Sequence, residues 1–177
     1  MTTIEFLDRF VNGYRELTQD ERDAINHFTL IWSFTEARLL EGRAGKGNIE
    51  RAVQAMKVRN QVDAEWYRPN LEYFRDRYFA AGAPTAHFVD LHFESRGMEA
   101  QVLEVLTGAA TDPINELTAL MFIIYRLRNN LLHGTKWMYG IRGQFDNFKN
   151  ANDVLMAVLG AHFGFGLAAD NAHHGQN

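Results

Sequence analysis

Residues 126–137 read RLRNNLLHGTKW. Within them Arg128, Asn129 and His133 are the side chains whose types and spacing suit chemistry. An imidazole titrates near neutral pH, and a guanidinium is a permanent cation whose planar fork fits phosphate oxygens. Together they are the smallest set able to cleave a phosphodiester by proton transfer and charge stabilisation, with no metal required. A helix that only closes a core would end on an apolar face and a cap. This one ends on two arginines, two asparagines and a histidine ahead of Gly134.

The element that must carry them starts at Asp112-Pro113, an N-cap residue followed by proline at the first helical position. The pattern predicts a helix to His133, closed by Gly134 in a left-handed cap. At about 100° per residue, Leu117, Leu120, Met121, Ile124, Leu127, Leu131 and Leu132 share a sector of roughly 140°, with Arg128 near its centre. A charge there needs a partner or a ligand. On the second helix, Ile25, Phe28, Trp32 and Leu39 form a stripe with Glu36 in its middle, so the two helices are expected to pack together and join Glu36 to Arg128. A plain ion pair fixing helix register is the simpler alternative. Asn129 and His133, four residues apart, share a second face, and Gly134 lets the last turn tighten to bring the imidazole toward the guanidinium. Phe122 lies in that outward sector, where a partner surface or the chain's own last helix, through Phe145, Phe148 and Leu155, would cover it. One chain supplies one such histidine, whereas the chemistry benefits from a base and an acid on opposite sides of the phosphorus. A two-fold homodimer with the motif at its seam would provide both.

The run Arg128-Asn129-Asn130-Leu131-Leu132-His133, followed by Gly134, resembles the signature of the HEPN domains, in which an arginine and a polar residue precede a histidine after four to six intervening positions. The aromatic and acidic stretch FTLIWSFTEARLL also resembles the N-terminal helix of several HEPN groups. The resemblance implies an all-helical fold and metal-independent RNA cleavage by 2′-OH attack, in a toxin or antiphage effector. It implies catalytic roles for Arg128, Asn129 and His133, with Glu36 and Asn130 in support and no cofactor. Arg126, Lys136 and Arg142 are candidates to meet RNA. The implied partners are RNA, a second copy of the chain, and an antitoxin or defence-system protein. Non-catalytic members of the family imply an alternative, a module that binds a partner protein or a nucleotide.

The chain around the motif is 177 residues and 46% hydrophobic, enough for one domain with a core, expected over residues 1–166 with a loose tail at 167–177. Without cysteine it has no disulfide framework, no thiolate metal site and no thiol nucleophile. No signal pattern and no run near the roughly 20 apolar residues of a membrane span is evident, so a soluble, cytoplasmic protein is expected. Residues 117–151 hold five basic residues (Arg126, Arg128, Lys136, Arg142 and Lys149) and the acid Asp146, a net +4 within a chain of net −4. That suits a local phosphate site rather than a broad groove.

With three prolines and apolar spacing of three and four, the sequence predicts a compact all-α bundle of five or six helices. Five run from Thr3 to about Leu17, from the capping box Thr18-Gln-Asp-Glu21 to about Glu41, from Asn48 to Trp66, from Pro113 to His133, and from Phe145 to Phe163, and the stretches from Pro69 to Phe79 and from Gly97 to Leu106 are candidates for shorter ones. Some of these are short, and HFVDLHF is ambiguous between strand and turn. GRAGKG, at 42–47, lacks the spacing and the Ser or Thr of a phosphate loop and reads as a flexible connection. His87 and His92 fit no metal-ligand spacing. The alternation of Trp66, Tyr67, Tyr73, Phe74, Tyr78 and Phe79 with Arg68, Arg75 and Arg77 reads as core packing and dimer contacts before RNA stacking.

Overall fold

In the computed structural model, which describes residues 1–93, 95–132 and 143–164, helices open where the sequence supplies a cap. Thr2 and Thr18 each accept the N–H three residues on, and Glu5 and Glu21 accept the cap residue's own N–H. These two capping boxes begin α1 (Thr3–Phe10) and α2 (Gln19–Arg38). α3 (Lys46–Val58) follows Gly45, α4 (Arg68–Tyr78) carries Pro69 in its first turn, and Thr85 and Ser95 cap α5 (Ala86–Val89) and α6 (Arg96–Leu106). Asp112 Oδ1 accepts from the N–H groups of Ile114 (3.1 Å) and Asn115 (3.2 Å) to open α7 (Pro113–Leu132). The last helix, α8 (Phe145–Phe163), has the bounds expected and closes on Gly164 at φ 75°.

The described residues thus hold eight α-helices rather than five or six. Two expected helices are cut short by backbone that local propensity does not foretell. α1 stops at Phe10, where Val11 turns extended and Gly13 adopts φ 81°. α3 stops at Val58, because Asn60 takes the left-handed φ of 55°, and Asp63 then caps a separate 3₁₀ turn at Ala64–Trp66. The expected loop AAGAPT contains a small antiparallel ribbon, β1 (Phe79–Ala80) with β2 (Ala83–Pro84), joined through Ala81 and Gly82 at φ 51° and 79°. Two consecutive positive φ values are what a two-residue hairpin of type I′ requires. The ambiguous HFVDLHF contributes most of α5 and the turn after it.

α7 is the axis of the core. Every residue from Glu116 to Leu127 is buried, so the one-sided stripe expected of it is in fact a full circumference. A helix buried all round belongs at the centre of a bundle. α3, α6 and α8 pack along it, and α2 packs along α8, with Phe28 and Phe148 rings 4.9 Å apart and Asn152 donating to the Ala24 carbonyl. The aromatic run on α4 faces inward as expected, with Tyr67, Phe74 and Tyr78 almost fully enclosed, while Arg75 donates to the Val105 and Leu106 carbonyls that end α6. Burial raises the Tyr78 phenol well above its usual range. It does the same to Tyr67, whose hydroxyl lies 3.0 Å from the Pro113 carbonyl and 3.3 Å from the Glu116 carboxylate. Among the described residues no helix is long and apolar enough to cross a membrane.

Candidate active site at the end of α7

Between Glu116 and Leu131 a single side chain escapes burial, that of Arg128, which remains 23% exposed. Its Nη2 donates to Glu36 Oε2 at 3.3 Å, joining the two charges that stood out in the middle of their apolar stripes. The helices meet differently from the expectation. α2 lies mainly against α8 and reaches α7 through side chains, with the rings of Trp32 and Tyr125 6.1 Å apart beside the ion pair. The pair is also only partly enclosed, Glu36 being 21% exposed, and so its breakage costs less than that of a fully buried pair.

Glu36 is held by more than arginine. Trp32, one turn earlier on α2, donates its indole N–H to Oε2 at 3.0 Å, and the backbone N–H of Ala44 donates to Oε1 at 3.0 Å. The carboxylate therefore takes three donors, and it ties the loop between α2 and α3 to the end of α7. Sequence reasoning missed both. Trp32 was legible, since a tryptophan four residues before a buried carboxylate lies on its face. Ala44 was not, because a backbone donor leaves no mark in the sequence. The guanidinium of Arg128 lies 6.0 Å from the centre of the Trp32 ring, and Nη1 donates to Asn129 Oδ1 at 3.0 Å. Arg128 Nε is buried without a hydrogen-bond partner among the described residues. A crevice of about 30 Å³ opens beside it, between Thr29, Trp32 and Ser33 of α2 and Arg128, Leu131 and Leu132 of α7. It is large enough for a water or two and too small for a base.

The neighbouring residues divide. Arg126, expected to meet RNA, is 5% exposed, and its Nε donates to the Leu91 carbonyl at 2.9 Å. It belongs to the scaffold because a guanidinium in the interior must satisfy its donors there. Asn130 is likewise buried and donates to the Asp90 carbonyl at 2.9 Å, so its support consists of clamping the turn after α5. Phe122 is fully buried with Lys46 Nζ 5.9 Å from its ring centre, in a helix packed against α3. Enclosed within the chain's own core, it offers no partner surface. His133, Lys136 and Arg142 lie outside the described residues, as do the Gly134 cap and the 167–177 tail. Of GRAGKG only residues 42–45 form a connection, fastened by the Ala44 N–H, while Lys46 and Gly47 already open α3. Lys149 pairs with Asp153 at 3.5 Å. His92 Nδ1 lies 2.8 Å from the Asp90 carbonyl oxygen, and no group of three or more potential metal ligands occurs among the described residues.

The end of α7 thus presents one partly exposed guanidinium whose orientation is fixed on one side by a carboxylate and on the other by an amide. Such a group can meet an anion at its open edge without first losing rotamer freedom. No protein-family model, curated protein or solved structure matches the chain.

Proposed function

We propose that this chain is an endoribonuclease of the HEPN type that works without a metal through Arg128, Asn129 and His133. The observation that carries the reading is the setting of Arg128, a cation left 23% exposed at the end of a buried helix, with Glu36 and Asn129 fixing its fork. In this reaction the ribose 2′-oxygen gives up its proton and bonds to the adjacent phosphorus, the bond from phosphorus to the 5′-oxygen breaks, and that oxygen takes a proton. The products are a 2′,3′-cyclic phosphate and a 5′-hydroxyl. His133 performs one of the two proton transfers, Arg128 meets the charge that grows on the phosphoryl oxygens, and Asn129 holds Arg128 in register. A homodimer would bring the second histidine. Leu132 beside the motif, 52% exposed, supports a seam there, since apolar surface next to a site is a common mark of association.

A second reading, a non-catalytic module that binds a partner protein or a nucleotide, draws on the same ion pair, because Arg128 already spends part of its charge on Glu36. Product analysis separates the two. The native protein in excess chelator should release 2′,3′-cyclic phosphate ends from RNA and arrest growth when expressed, and His133→Ala should do neither. Cleavage that vanishes with chelator, or persists in His133→Ala, would remove the first reading.

A further inference from the structure

The basic segment around the motif has a counterpart. Residues 43–59 contain Arg43, Lys46, Arg51, Lys57 and Arg59 against the acid Glu50, the same net +4 in a chain of net −4. Arg43, Arg51, Lys57 and Arg59 are all exposed, Arg51 in a long, solvated ion pair with Glu41 at 3.9 Å that a phosphate can displace, whereas Arg126 from the other segment is buried. The fold sets this second segment beside the first. Ala44 N–H is bonded to the carboxylate that holds Arg128, and Lys46 lies over Phe122 of α7, so α3 leaves the candidate site and runs back along α7. Gly47, Arg51 and Gln54, spaced four and three apart, form its outward ridge.

That ridge leads into a groove of about 380 Å³ where Arg51 and Gln54 face Gln101 of α6 and Asn115 and Thr118 of α7. Glu50 also lines it, with its charge met by an ion pair to Lys46. From Lys46 to Gln54 the helix rises about 12 Å. The groove has the volume of a small-ligand site. Beside Glu50, Ile114 and Thr118, its lining sets the Arg51 cation among the side-chain amides of Gln54, Gln101 and Asn115, each carrying a donor and an acceptor side by side, as the pairing edge of an unstacked base does.

We propose that α3 is the track for single-stranded RNA. Arg43 and Arg51 contact its phosphates, and the groove between α3, α6 and α7 receives a base one or more nucleotides away from the cleaved bond. This rests on the ribonuclease reading for the identity of the strand. It adds residues outside the motif that set affinity rather than chemistry.

A dodecamer of RNA with 2′-O-methyl groups throughout cannot undergo 2′-OH attack and reports binding alone. By fluorescence anisotropy the full chain should bind it. Arg43→Ala with Arg51→Ala should weaken binding about tenfold and lower the slope of log affinity against log salt by about 1.4, near 0.7 for each lost phosphate contact on a single strand. Lys149→Ala, on α8, should leave both unchanged. Native binding by the double variant, or no binding by the native chain, overturns the track. Cleavage is read separately on unmodified RNA. Binding through these arginines without cleavage supports the track and defeats the ribonuclease reading, while cleavage by the double variant at native kcat/KM defeats the track and spares the reading.

Discussion

Arg126 and Arg128 stand two residues apart on one helix and meet opposite fates. Arg126 is enclosed and donates to the neutral Leu91 carbonyl, while Arg128 is partly open and faces the Glu36 carboxylate. About 200° separates them around the helix axis, which is enough to set one against the turn after α5 and the other against α2. A guanidinium whose donors are spent on backbone carbonyls in the interior is an anchor. One held by side chains at an open edge retains capacity for a ligand. Residue type alone does not make this distinction; the acceptor and the exposure do.

The contrast is broken most forcefully at the anchor. Arg126→Ala would leave the Leu91 carbonyl with only the longer bond from Asn130 at 3.4 Å and open a hole beside α7, an expected loss of about 3 kcal/mol in denaturant unfolding. A loss below about 1 kcal/mol would mean that Arg126 is not an anchor. Asn130→Ala, which releases the same turn from a neutral donor, should cost roughly 1–2 kcal/mol by the same assay. Glu36→Gln and Arg128→Met sharpen the other side. Their double-mutant cycle should give a coupling of about 1 kcal/mol, between the values for exposed and enclosed pairs, and additivity would show that the two are not partners. The smallest effect concerns Tyr78. Its buried phenol is held above the ordinary range, so folding favours the protonated form. Stability from this source is full below about pH 10 and is lost as pH rises beyond it. Tyr78→Phe should therefore flatten the alkaline decline in unfolding free energy, with Tyr67 and Tyr73, also raised by burial, maintaining what remains.

Much of this was legible from sequence where the cause is local. The capping box at Thr18 and the Asp112-Pro113 start place α2 and α7, and Phe145–Phe163 is bounded by its own apolar spacing and Gly164. Glu36 and Arg128 could be paired because each is a charge in the middle of an apolar stripe. What could not be read depends on the whole fold. A helical wheel assigns Phe122 and Arg126 to the outside because it divides every helix into two faces, and α7 has no outside over most of its length. The ends of α1 and α3 are set by Gly13 and Asn60 at positive φ, and glycine and asparagine permit that conformation without demanding it. The Ala44 N–H bond to Glu36 is a backbone contact and could not have been foreseen from a side chain.

The central claim is that Arg128 serves chemistry more than stability. The direct test measures unfolding free energy and RNA cleavage on the same preparation of Arg128→Ala, beside Arg126→Lys. Arg128→Ala is expected to stay folded within about 2 kcal/mol of the native chain and to lose cleavage by on the order of a thousandfold, as when one stabilising donor is removed from a transition state. Arg126→Lys is expected to lose stability and, once folded, to cut RNA normally. An Arg128→Ala protein that cleaves at the native rate, or one that unfolds as readily as the Arg126 variant, would contradict the account.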